Sequence, residues 1–201
     1  SGNLAGSGGG ADSGTLNNCT LSGNRASCYG GGASDATLNN CIIYYNRAPQ
    51  GANFYGGTLN YCCTTPMPSD GAGNRVVEPE LASVSHLSAG SPCRGAGSAA
   101  CTTGMDIDGE SWLGPPSLGC DEYHSGSVTG ALSVAVVASF TNVAVGFPLD
   151  FQASILGRVS ASRWEFGNGM VVSNRPYASH VWGVAGDYAV VLRAYNESYP
   201  E

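Results

Sequence analysis

The segment GGGADSGTLNNC, Gly8 to Cys19, returns as GGGASDATLNNC, Gly30 to Cys41, displaced by 22 residues. A shorter third copy, GGTLNYC from Gly56 to Cys62, follows the second by 21. Asn-Arg-Ala at Asn24 recurs at Asn46, again 22 apart, and Asn3 stands 21 before Asn24. Periods of this size mark stacked supersecondary units, each of which buries its apolar face only against its neighbour. The unit holds no helical periodicity. Its short strands, such as Thr15–Leu16 and Cys19–Thr20–Leu21, are broken by Gly and Asn clusters.

Within a unit, Leu16 and Leu21 are separated by an odd spacing and would face opposite sides of one straight strand. A corner at Asn17–Asn18 restores the parity, and Asn tolerates the left-handed conformation that such a corner needs. Strand, corner, strand and glycine-rich turn predict one coil of a parallel β-helix, with coils about 4.8 Å apart. Equivalent residues then form ladders: Leu16/Leu38/Leu59, Asn18/Asn40 and Cys19/Cys41/Cys62.

Composition agrees with two β-domains of different build. Glycine, Asn, Ser and Thr concentrate before residue 130, and Val, Phe, Tyr and Trp after it. All eight basic residues are Arg; with 15 acids the formal charge is −7. A nucleic-acid backbone is therefore repelled, and no nucleic-acid partner is expected. No run of 18 apolar residues is present to span a bilayer. Ser1 opens without a charged and apolar leader, so any signal peptide is expected to be removed or to lie upstream.

Eight cysteines (Cys19, Cys28, Cys41, Cys62, Cys63, Cys93, Cys101 and Cys120) fall in the first 120 residues without a C-x-x-C pair. They point to an oxidising compartment, with connectivity open and some thiols buried and free.

The phrase GGGA…TLNNCTLSGN resembles the β-helix repeats of bacterial choice-of-anchor and polymorphic outer-membrane surface proteins. HLSAGSPCRGAG (His86 to Gly97), then DIDGE and SLGCDEYH, resembles the segment that closes those helices. This resemblance covers roughly residues 1–124. It implies about three coils plus a closing segment of a right-handed parallel β-helix, without an N-terminal cap.

A second resemblance lies downstream. RWEFGNG (Arg163 to Gly169), SHVW (Ser179 to Trp182), GDY (Gly186 to Tyr188) and VVLRAYN (Val190 to Asn196) are similar to the PKD signature. Glu165 and Asn168 stand where that family usually has Asp, and the sequence stops at Glu201, before the usual final strand. The alternation of Val190, Leu192 and Ala194 against Val191, Arg193 and Tyr195 independently predicts a strand. The expected fold is all-β: parallel β-helix over 1–125 and an immunoglobulin-like PKD sandwich over 128–201, joined near Ser125–Gly130.

The polar clusters yield one candidate metal site. Asp106, Asp108 and Glu110 place acids at alternate positions around a Gly, a pattern that suits calcium. The competing expectation is a hydrogen-bonded turn closing the solenoid. Asp121, Glu122 and His124 resemble an acid–base set, but adjacent strand residues face opposite sides, which favours a capping role. His86 and His180 read as packing positions. Trp164, Phe166, Trp182 and Tyr188 match sandwich-core positions, because large aromatics dominate such cores. Tyr44, Tyr45, Phe54, Tyr55 and Tyr61 are the candidate glycan-binding aromatics, near turns on the solenoid flank; ordinary flank packing is the alternative.

The two resemblances imply an extracellular, secreted or cell-surface adhesion or display module that binds glycan or protein and performs no catalysis. The alternatives are a fragment of a polysaccharide lyase or hydrolase, or a metal-dependent hydrolase using His124. Three coils stack to only about 15 Å, short for an extended sugar cleft. The open first coil adds an expected self-association through residues 1–24, as a homodimer.

Overall fold

A computed structural model describes residues 1–200 of the chain, so Glu201, the end of the second expected domain, lies outside the described residues. The chain is all-β apart from one short 3-10 turn at Ala99–Cys101. It divides into two compact units. The first is Ser1–Pro79 with Ser91–Tyr123; the second is Glu80–Gly90 with the chain from His124 onward.

In the first unit, coil one carries β1 (Leu4–Ser7), β2 (Ala11–Asp12), β3 (Thr15–Asn17) and β4 (Thr20–Ser22). Coil two carries β5 (Arg25–Tyr29), β6 (Ala33–Ser34), β7 (Thr37–Asn39) and β8 (Ile42–Tyr44). Coil three adds β9 (Phe54–Tyr55), β10 (Thr58–Asn60) and β11 (Cys63–Thr64). Every pairing between coils is parallel: β1 on β5, β2–β6–β9, β3–β7–β10 and β4–β8–β11. Leu16, Leu38 and Leu59 pair in register, as the repeat predicts, and these are the pairings that a parallel β-helix requires.

Two local features make the register possible. Asn18, Asn40 and Tyr61 occupy the same corner in successive coils with φ of 48°, 53° and 51°. The left-handed corner thus persists where Asn gives way to Tyr. The glycine run answers a different demand. A Cβ on Gly31 would lie 2.3 Å from the Ala52 carbonyl oxygen, and one on Gly9 2.4 Å from that of Gly31. Neighbouring coils approach too closely there for any side chain.

The coil interior is apolar around Leu38, Ile43, Leu59, Cys41 and Cys62, with one buried polar column. Asn46 Nδ2 donates to the carbonyls of Leu21 (2.8 Å) and Tyr44 (3.1 Å) and to Asn53 Oδ1 (3.2 Å). Asn46 Oδ1 accepts from the backbone N and Nδ2 of Asn24, and Asn24 Oδ1 accepts from Asn3 N. A second amide ladder, Asn17–Asn39–Asn60, runs on the outside.

The cysteine ladder forms as expected, and all eight cysteines are free thiols. Cys19, Cys41 and Cys62 donate to the carbonyls of Asn17 (3.2 Å), Asn39 (3.2 Å) and Asn60 (3.3 Å). The hydrogen bond to Cys41, then burial, pushes the Cys19 thiol well above its ordinary range, so it stays a proton donor.

The closing segment, Ser91–Tyr123, differs from its expected place at the end of the solenoid. It runs as a strap down the side of the stack. Arg75 Nη1 donates to the Pro92 carbonyl (2.9 Å) at coil three. At coil two, Asn40 Nδ2 donates to the Ser98 carbonyl (2.8 Å), and Ser98 N returns a bond to Asn40 Oδ1 (2.8 Å). At coil one, Cys120 N donates to Thr20 Oγ1 (3.1 Å). The Asn18/Asn40 ladder expected from the repeat is correspondingly long, at 3.5 Å, because Asn40 serves the strap instead.

The second unit packs two three-stranded antiparallel sheets. One orders β12 (Ser133–Ala138), β13 (Leu149–Leu156) and β16 (Tyr177–His180). The other orders β15 (Val171–Ser173), β14 (Ala161–Glu165) and β17 (Val191–Tyr195). On β13, Leu149, Phe151, Ala153 and Ile155 point inward at the strand period of two. They meet Trp164, Phe166 and Trp182, and Val190, Leu192 and Ala194 pack against the same core. The indole N–H groups donate to the carbonyls of Arg175 (2.8 Å, from Trp164) and Phe166 (3.0 Å, from Trp182).

Two boundaries need correction. Glu80–Gly90, read in the sequence as part of the solenoid's end, belongs to the second unit: Leu81 pairs with Leu87, Ala82 joins the sandwich core, and Ala89 N donates to the Ser160 carbonyl (2.9 Å). The division falls at Tyr123, ahead of the expected linker at Ser125–Gly130. That stretch is tied into the second unit, with Gly126 N on Glu197 Oε1 (2.7 Å) and Asn196 Nδ2 on the Gly130 carbonyl (2.9 Å).

Trp164→Ala should destabilise the sandwich by about 3–5 kcal/mol, because it empties a fully buried aromatic site. Calorimetry should show the loss confined to one transition; an unchanged transition would place Trp164 outside the core. For the coils, each buried group left without a partner costs about 1–3 kcal/mol. Asn46→Ala should therefore cost at least about 2 kcal/mol, whereas Asn17→Ala, on the exposed ladder, should cost well under about 1 kcal/mol by the same measurement.

Candidate functional site

Asp106 sits at a tight turn in the strap, where Gly109 takes φ +78° and Met105 pairs with Ser111. Its carboxylate is buried and faces peptide N–H groups. Oδ1 accepts from Asp108 N (3.0 Å) and Glu110 N (2.7 Å), and Oδ2 accepts from Glu122 N (3.0 Å). The three carboxylates of Asp106, Asp108 and Glu110 do not gather their oxygens within 4.8 Å of one another. What converges on Asp106 is backbone, and Asp108 is exposed. The acidic spacing builds a hydrogen-bonded turn around Asp106.

Glu122 has a parallel task. It is buried, its Oε2 accepts from Ser117 N (2.8 Å) and Leu113 N (3.4 Å), and its Oε1 accepts from Ser117 Oγ (2.5 Å). Asp106 and Glu122 are thus linked through the Glu122 amide, and together they fold residues 106–122 into one knot. A shallow hollow of about 360 Å³ opens beside the knot, lined by Thr102, Thr103, Ser111, Trp112 and Leu113.

The candidate aromatics on the coils differ in their surroundings. Phe54 packs against the coil core. Tyr44 and Tyr45 meet edge to face at 5.0 Å, and the Tyr45 hydroxyl donates to Glu78 Oε1. Tyr61 is half-buried at its left-handed corner, its ring against the Gly73 backbone. Tyr55 is the candidate that stands out into solvent, 42% exposed, and it pairs with a residue that the sequence reading passed over. Tyr29, 40% exposed, lies with its ring centroid 4.8 Å from that of Tyr55. The signal for Tyr29 was its place on the Gly-rich turn of coil two, one residue before Gly30. Asp35 lies close by, its Oδ1 at the edge of Gly56.

In the second unit the expected core aromatics are core. His180 lies flat on Phe166 (4.4 Å between centroids, 4° between planes) and edge-on to Trp182, with Asn168 Nδ2 at 3.1 Å from Nε2. Burial holds its pKa below the ordinary histidine value, so the neutral ring is the packed form. Glu165 bridges Arg163 (3.2 Å) and Arg193 on the sheet surface. An apolar cleft of about 550 Å³ opens beside β12, β13 and the adjoining loops, bordered by Val136, Phe140, Val145, Trp182, Val184 and Tyr188.

Comparison with known families matches the PKD domain over residues 133–198. PKD domains are commonly extracellular adhesion or binding modules. No curated protein and no solved structure matches the chain. Among the described residues, no helix is long and apolar enough to cross a membrane.

Asp106→Asn keeps the shape of the side chain but replaces one charged acceptor oxygen by a donor that faces a peptide N–H. The variant should lose about 1–3 kcal/mol of stability. The loss should be equal in EDTA and in millimolar calcium, read as the shift in thermal midpoint. A calcium-dependent loss would return the turn to cation binding.

Proposed function

We propose that the chain is a non-catalytic extracellular binding and display module. Residues 1–79 and 91–123 are, in this reading, the last coils of a right-handed parallel β-helix with a lateral strap, and residues 128–201 a PKD sandwich whose core residues 80–90 join. The observation that carries it is the PKD match over residues 133–198, with the sandwich core built around Trp164 and Phe166. The two acids with the strongest claim to chemistry, Asp106 and Glu122, are engaged by peptide amides, which favours binding over turnover.

The ligand-facing feature is the Tyr29–Tyr55 pair. Two half-exposed rings in contact offer the flat apolar face that a pyranose ring covers, and Asp35 supplies a nearby hydroxyl acceptor. The ligand class is therefore a neutral glycan, since the chain's net charge of −7 disfavours acidic ones. Binding of the whole chain to an array of neutral and acidic oligosaccharides tests this. Neutral glycans should be retained, and Tyr55→Ala should weaken them at least tenfold while leaving the thermal midpoint within about 2 °C. Retention of none, or turnover of any oligosaccharide on the array, would reverse the reading.

A further inference from the structure

We propose that Cys63 and Cys93 are a disulfide-forming pair, a covalent clip that fastens the strap to coil three when the chain meets a disulfide-bearing oxidant. Three contacts bring these residues together. Cys63 lies on β11 with its backbone bridged to Arg75, and the Arg75 guanidinium reaches across to the Pro92 carbonyl (2.9 Å). Ser91 anchors the same turn, donating to the Pro79 carbonyl (2.6 Å) and accepting from Cys93 N (3.1 Å). Leu118 N closes the other side on the Cys93 carbonyl (2.9 Å). The outcome is two fully buried thiols that interact across segments thirty residues apart in sequence.

This pair differs from the cysteine ladder. Cys41 and Cys62 each spend the S–H on two carbonyls, one in their own coil and one in the coil before (Leu16 and Leu38). Their spacing is set by the strand ladder, and Cys41 has a like neighbour on either side. Cys63 and Cys93 face each other from a strand end and a turn whose backbones are independently held, and Cys63 has a single carbonyl contact, to Val77 (3.4 Å). The polarity within the pair also suits exchange. The hydrogen bond from Cys93, opposed by burial and helped by Arg75, holds the Cys63 thiol below its ordinary value, while Cys93 is pushed up and keeps its proton.

In the exchange Cys63 takes the part of the attacking thiolate. As the strap docks and before the pair is buried, its sulfur attacks the oxidant's disulfide and forms a mixed disulfide, expelling one oxidant thiolate. Cys93, losing its proton, then attacks the Cys63 sulfur and expels the second. Two S–H bonds are exchanged for one S–S bond, and the oxidant's disulfide leaves as two thiols carrying the two electrons and two protons.

Peptide mapping of the whole chain, refolded in oxidised and reduced glutathione and alkylated without reductant, tests the clip. Cleavage after Arg25, Arg47, Arg75 and Arg94 places Cys19, Cys41, the Cys62–Cys63 pair and Cys93 on separate peptides. The expected result is peptide 48–75 joined to peptide 76–94, with six of the eight cysteines alkylated. The link should survive Cys62→Ser and vanish in Cys63→Ser. Reduction should lower the thermal midpoint of the native sequence by roughly 5–10 °C, and that of the Cys63→Ser/Cys93→Ser double variant by none. Eight alkylated cysteines, or any other linked pair, would overturn the assignment.

Discussion

When one coil lies on the next, every buried amide at a corner must find its partner in a neighbour that repeats the same geometry. Asn46 meets this demand for coil two, since a single side chain serves Asn24 above, Asn53 beside it and the carbonyls of Leu21 and Tyr44. Unpaired amides in an apolar stack would cost more than the leucine ladder returns over so few residues. The register of Leu16, Leu38 and Leu59 is therefore held from two sides. The glycine column forbids side chains where backbones touch, and the Asn column specifies which residue must come next.

The strap follows from the same constraint. A stack of short strands leaves the amides and carbonyls at its corners without a strand of their own, because the chain turns there. Asn40 and Thr20 offer these groups laterally, and residues 91–123 take them up in reverse order down the coils. A strap with no strand pairing of its own needs an internal scaffold. The buried carboxylates of Asp106 and Glu122 supply it by gathering amides from residues 108, 110, 113, 117 and 122.

The coils were largely legible because periodicity is a local signal. A displacement of 22 residues identifies both the paired residues and the corner, and Asn18 and Asn40 have the expected left-handed backbone. The strap's position was not legible, since nothing in HLSAGSPCRGAG says whether it caps the stack or flanks it. The acids show the same divide. DIDGE has the spacing of a cation loop, and the same spacing places successive N–H groups around one carboxylate, so the pattern alone reads both ways. Tyr29 escaped notice because its partner, Tyr55, comes from another coil and breaks the repeat, standing where coil two has Ser34.

The second unit shows how far a family signature reaches. RWEFGNG and GDY locate the core, because Trp164 points inward from β14 and Phe166 and Tyr188, just outside the strands, pack beside it. The signature is blind to Glu80–Gly90, which lies upstream of any PKD match yet puts Ala82 into the sandwich core and Ala89 on Ser160. Leu81 and Leu87, both buried, pair with each other inside that segment, and its apolar content is intelligible once it is counted with the sandwich. A chain cut at the signature's own boundary would strip this segment from the core. The folding unit is thus larger than the recognisable domain, and the polypeptide passes from the first unit to the second, back, and over again. Such a path couples the units through the chain itself, independently of any surface between them.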